Sequence, residues 1–156
     1  MERHRRRTLA LGLASTGLAM AAITMGWVWS YLDSMGNPPF APMWPFPALY
    51  LIEVVALAAI VLLAVVVAHH RSAPFVAWLA LGALSAMALL GAMSVGLYIA
   101  LALIFLVPAS ILGDEGPSRV SHNVVGFVVG VLFQGGVMFS IIQYVLRRPM
   151  SGPHAG

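Results

Sequence analysis

Residues 74 to 112 read PFVAWLALGALSAMALLGAMSVGLYIALALIFLVPASIL, and how this stretch divides decides the fold. From Phe75 to Leu112 there are 38 residues without a charge. As one helix they would extend about 57 Å, far more than a ~30 Å hydrocarbon layer takes up even at a tilt of ~40°. Gly91-Ala92-Met93-Ser94-Val95-Gly96 sits near the middle and supplies the residues of a tight turn. The stretch is therefore expected to be a helical hairpin, Pro74 to Gly91 and Val95 to Leu112, with Pro74 as a first-turn residue. The alternative is a single crossing.

The flanking sequence has the same character. Thr8 to Tyr31 is 24 residues without a charge, preceded by Arg3, Arg5, Arg6 and Arg7 and closed by Trp27, Trp29 and Tyr31. Such aromatics favour the headgroup level. Ala19-Met20-Ala21 imitates a signal-peptide cleavage site, but the apolar run continues past it through Ile23, Met25 and Val28, as in a retained anchor. Asp33 to Pro47 reads as a loop, because its prolines block regular structure, with Phe40, Trp44 and Phe46 interleaved among them. Ala48 to Ala68 is a second span, ending at His69-His70-Arg71, and Val124 to Leu146 is the last, ending at Arg147-Arg148-Pro149. Between the spans, residues 113 to 119 form a polar turn, after which Ser121 or Asn123 is a candidate cap. Residues 151 to 156 read as a tail.

The expected fold is thus an all-α integral membrane protein: one domain over residues 1–156, a bundle of five transmembrane helices with short loops, or four if 74–112 crosses once. The spans are approximately 8–31, 48–68, 74–91, 95–112 and 124–146. Composition agrees, since 61% of residues are hydrophobic and 8% charged, against about 25% charged in a soluble domain. A chain without cysteine has no disulfide, thiolate metal site or cysteine nucleophile.

All eight basic residues are arginine. With a cytoplasmic amino terminus, five spans place six arginines inside and two outside, and four spans place seven and one. Length favours five, charge slightly favours four, and both fix the same orientation. The expected location is a bacterial cytoplasmic membrane. The net charge of +3 reflects this topology and contact with anionic lipid; nucleic acid is not an expected partner.

Glu53 is the one charged residue inside an apolar block. An acidic residue at a helix centre costs about 2.5–3.5 kcal/mol on insertion scales, so it should face protein or water. In an antiparallel hairpin of the first two spans Glu53 is level with Thr24, which predicts a hydroxyl–carboxyl hydrogen bond. The functional alternative is a protonatable carboxyl coupling protons to a substrate, with Gln134 in the path. Small multidrug transporters are similar in outline, being short helical chains with one membrane glutamate. Theirs is in the first helix and this one is in the second, so none of that family's sites carries over.

His69, His70 and His122 are the candidates for a metal or haem site at one membrane face. Adjacent histidines point about 100° apart on a helix, and no H-x-x-H or H-x-x-x-H pair occurs. No metal or other cofactor is expected. In the last span His122, Gly126, Gly130 and Gln134 recur every four residues, and Gly126 to Gly130 matches GxxxG. Gly136 and Ser140 repeat the small-xxx-small spacing, and all four small residues are expected in helix packing, within the chain rather than between copies. The chain has no Walker lysine, GxSxG or HExxH, so an enzyme is not expected. The function expected is that of a structural or accessory subunit of a larger respiratory or transport assembly. Its partners would be the lipid bilayer and other membrane subunits or further copies of itself. The alternative is a small proton-coupled transporter or channel using Glu53.

Overall fold

The computed structural model describes residues 2–35, 46–68, 70–91, 95–114 and 120–147. The helices are α1 (Glu2–Ser34), α2 (Phe46–Val66), α3 (Ala73–Leu90), α4 (Gly96–Gly113) and α5 (Val120–Arg147), with no strand among the described residues. Each is long and apolar enough to cross a membrane. His69, Ala92 to Ser94, the greater part of the proline-aromatic loop, the 115–119 turn and the tail lie outside the described residues.

The 74–112 stretch divides as its length demands. The α3 helix stops at Leu90 and α4 starts at Gly96, so one long crossing is not formed. Gly91 N–H closes the last turn on Met87 O (2.9 Å), and Gly96 N–H donates to Gly91 O (2.6 Å). A Cβ at Gly96 would lie 2.1 Å from Ala88 O, so the chain reverses in a space only glycine fits.

Two helices begin earlier than the apolar pattern suggests. The α1 helix takes in the basic flank, because arginine is a good helix former and Arg6 pairs with Glu2 one turn back at 2.9 Å. The α5 helix starts at Val120, so neither Ser121 nor Asn123 caps it; both lie in its first turns. At the loop, Asp33 and Ser34 extend α1, while Phe46 and Pro47 open α2, where a proline lacks nothing by having no N–H.

The helices alternate in direction. Arg7 of α1 donates to Val66 O at the end of α2 (3.1 Å), capping an orphan carbonyl with a cation. Tyr50 near the start of α2 donates to Met87 O near the end of α3 (2.8 Å). Trp27 late in α1 meets Tyr98 early in α4, their rings 5.7 Å apart. Phe75 at the start of α3 packs on His122 at the start of α5, ring centres 4.8 Å apart. One end of the bundle therefore collects Arg5, Arg6, Arg7, His70, Arg71 and His122, and the other carries Trp27, Tyr31 and Tyr98.

Small residues let the backbones approach. Along α1, Ala10, Ala14, Gly17 and Ala21 form a buried stripe, and a Cβ at Gly17 would meet Leu106 of α4 at 2.7 Å. The core joins Met25, Val54, Ala58, Val61, Leu81, Leu84, Met87, Ile99 and Leu106. The α3 helix is central, packing on α2, α4 and α5, whereas α5 packs on α3 alone among the described residues. That last contact is glycine-mediated. A Cβ at Gly82 would lie 2.1 Å from Phe127 O, and one at Gly130 would lie 2.0 Å from Leu79 O.

Candidate binding cavity

Glu53 is half-buried on α2, with Tyr50 one turn back as its electrostatic neighbour and no hydrogen-bond partner among the described residues. Depth alone pairs it with Thr24, but the Thr24 hydroxyl donates to its own helix, to Met20 O at 2.7 Å with Ala21 O at 3.2 Å. The same back-bonding satisfies Thr16, Ser30, Ser85 and Ser140. In an apolar helix the carbonyl four residues back is the nearest acceptor a hydroxyl has. A cavity of about 430 Å³ between α1 and α2, beside Glu53, is walled by Met25, Trp29, Leu51, Ile52 and Val55, without Glu53 itself.

Gln134 is 1% exposed and its Nε2 has no partner. It shares the ridge of Gly126 and Gly130 against α3, and α2 does not touch α5, so Glu53 and Gln134 are not brought together. Gly126 and Gly130 are buried packing residues, Gly126 against Phe75. Gly136 and Ser140 are exposed, and a Cβ at Gly136 meets nothing.

No group of three or more His, Asp or Glu among the described residues could hold a metal ion. His70 is exposed in the α2–α3 connection, His122 lies against Phe75, and His69 is outside the described residues.

A site that the sequence did not single out lies at the basic end. Helices α4 and α5 both pack on α3 but not on each other, and between them is a cleft of about 400 Å³. Its lining is Trp78 from α3, Ile111 and Asp114 from the end of α4, and Val120, Asn123, Val124 and Phe127 from the start of α5. Asp114 follows α4 in an extended conformation (φ −88°, ψ 110°), its N–H on Ser110 O at 3.2 Å. This turns its carboxylate toward α5, where the Asn123 side-chain amide donates to Oδ2. Trp78 stands edge-on to Phe127, ring centres 6.4 Å apart.

Three buried polar atoms of this lining have no partner: Asp114 Oδ1, Asn123 Oδ1 and Trp78 Nε1. Buried polar groups in folded proteins are nearly always hydrogen-bonded, so three residues of one lining that each carry an unpartnered polar atom set this cleft apart from the other apolar surfaces of the bundle. The arrangement offers two acceptors, one of them on a carboxylate, and one donor, in otherwise apolar walls. No protein-family model, curated protein or solved structure matches this chain.

Proposed function

We propose that this chain is a structural or accessory subunit of a larger membrane assembly of the respiratory or transport kind, held in a bacterial membrane with its amino terminus cytoplasmic. The observation that carries this reading is the outer half of α5. There a shallow groove runs past Leu132, Phe133, Gly136, Val137, Ser140 and Ile141, and no side chain among the described residues lies near Gly136 within it. Between lipid-embedded helices the hydrophobic effect gives no drive, and association relies on close packing at small residues. Gly130 is used in that way within the chain and Gly136 is left for a neighbour. Blue-native electrophoresis of solubilised native membranes tests the reading. The wild-type chain should migrate with a complex much larger than itself. Gly136→Leu should release it as the small bundle, without lowering the thermal stability of the purified chain. Free migration of the wild type, or an undisturbed complex in the variant, refutes the proposal.

One observation favours a second reading, the proton-coupled transporter or channel. Glu53 is half-buried in a span with no hydrogen-bond partner among the described residues, an expensive state for a carboxyl group that had no further task. Reconstituted vesicles check it: dissipation of an imposed pH gradient by the wild type, abolished in Glu53→Gln, would put transport ahead of the accessory role.

A further inference from the structure

We propose that the cleft between the end of α4 and the start of α5 is a binding site for a phospholipid with a primary-ammonium headgroup. The ammonium lies against Asp114 and Asn123, and an oxygen of the phosphate or glycerol esters accepts from Trp78. The inference is independent of the accessory-subunit reading, because it concerns what the bundle itself binds.

Shape gives the first argument. Helices α4 and α5 diverge from α3 without touching, so the cleft lies at the edge of the bundle. Its rim residues Ile111, Val120 and Val124 are exposed on the outer surface. A cleft that opens sideways through such residues opens to hydrocarbon, and about 400 Å³ is in the range of sites that hold one small amphiphilic ligand or part of one. Depth gives the second. Asp114 is the first residue beyond α4 and Asn123 lies in the opening turns of α5, at the end of the bundle that carries the arginines. That places the polar atoms at headgroup level and Val124 and Phe127 beneath them, alongside an acyl chain.

The orphaned atoms select the headgroup. Asn123 is 7% exposed and gives one of its amide N–H groups to Asp114, which leaves one acceptor oxygen without a partner on each of these two residues of the cleft lining. The occupant must supply at least two N–H or O–H donors and, for Trp78 Nε1, one acceptor. A primary ammonium has three donors and a positive charge that suits the Asp114 carboxylate. A trimethylammonium head has the charge and no N–H. An anionic head has acceptors but is repelled by Asp114. The phosphodiester or esters of the same lipid supply the acceptor for Trp78.

A free amine shares the head's chemistry, and the two sources separate experimentally. The full chain, purified in detergent and stripped of lipid, would be titrated with phosphatidylethanolamine, phosphatidylcholine and phosphatidylglycerol and read by native mass spectrometry. The expected result is one phosphatidylethanolamine retained per chain, with a preference of roughly tenfold over phosphatidylcholine, the scale of one charge-assisted hydrogen bond. Asp114→Asn should bring the two lipids close to parity, because it removes the charge-assisted acceptor that only a primary ammonium can donate to, and Trp78→Phe should weaken retention of both lipids alike, because both carry the phosphate and ester oxygens. Trp78→Phe keeps a ring beside Phe127, so it tests the site even where the Asp114 variant fails to fold. Equal retention of the three lipids by the wild type, or undiminished phosphatidylethanolamine retention in Trp78→Phe, overturns the proposal. So does displacement of phosphatidylethanolamine by an equal concentration of free ethanolamine, which would make the site one for small amines.

Discussion

A single methyl group distinguishes the glycines that hold α5 in place from those that do not. At Gly130 an added Cβ would sit 2.0 Å from Leu79 O, and at Gly82 2.1 Å from Phe127 O. Backbone oxygens cannot rotate aside, so the helices must separate. Gly130→Ala and Gly82→Ala should each destabilise the purified bundle by ~1–3 kcal/mol, the usual cost of overpacking. At Gly136 the same methyl meets nothing, and Gly136→Ala should raise stability by ~0.5–1 kcal/mol through helix propensity. Reversible unfolding of the variants in mixed detergent checks both signs, and equal effects at 130 and 136 would refute the packing account. The spacing of Gly126 and Gly130 made this ridge legible in the sequence. Spacing does not say which small residues have a neighbour, so Gly136 and Ser140 looked equivalent to them. The α1 stripe of Ala10, Ala14, Gly17 and Ala21 was harder to see, because alanine is spread through the apolar blocks and the stripe has little contrast. Asp114 and Asn123 read as a turn residue and a cap. Their meeting depends on two helices diverging from a third, and no local pattern encodes that.

At the scale of the helix the most legible feature was the division of residues 74–112. Expected boundaries of Pro74 to Gly91 and Val95 to Leu112 compare with Ala73–Leu90 and Gly96–Gly113 in the structure. Bilayer thickness is a strong constraint and leaves the chain one place to turn. The starts of α1 and α5 were less legible because charge and polarity were read as the end of a helix, whereas arginine prolongs one into the aqueous phase. The joint between α3 and α4 depends on Gly96, whose Cβ would lie 2.1 Å from Ala88 O and 2.7 Å from Gly91 O. Gly96→Ala should open the joint and lower the thermal midpoint. Gly26→Ala, in open space on α1, should not. Parallel melting curves of the two variants decide the point; equal midpoints would show that the joint tolerates a side chain.

Across the whole molecule, five alternating helices put Glu2 and Arg147 at opposite ends of the bundle. A reporter active in only one compartment, fused after residue 156, should be silent where the same reporter at the amino terminus is active. Activity on the same side at both ends would require an even number of crossings and would break up the bundle described here. The polar ends differ as well: Arg5, Arg6, Arg7, Arg71, His70 and His122 collect at one, and Trp27, Tyr31 and Tyr98 at the other, where α5 also ends at Arg147. This asymmetry was visible in the sequence once the spans were placed, since the arginine flanks and aromatic ends fall at alternate boundaries.

The packing of α1 on α4 also imposes an order in time. A chain enters the membrane amino terminus first, so α1 presents its alanine and glycine face to lipid tails while α2 and α3 are still being made. It finds its counterpart only when α4 arrives. The α5 helix, by contrast, emerges to meet an α3 that is already seated. It joins as a late addition to a four-helix body, and the cleft beside α4 is the last space to form.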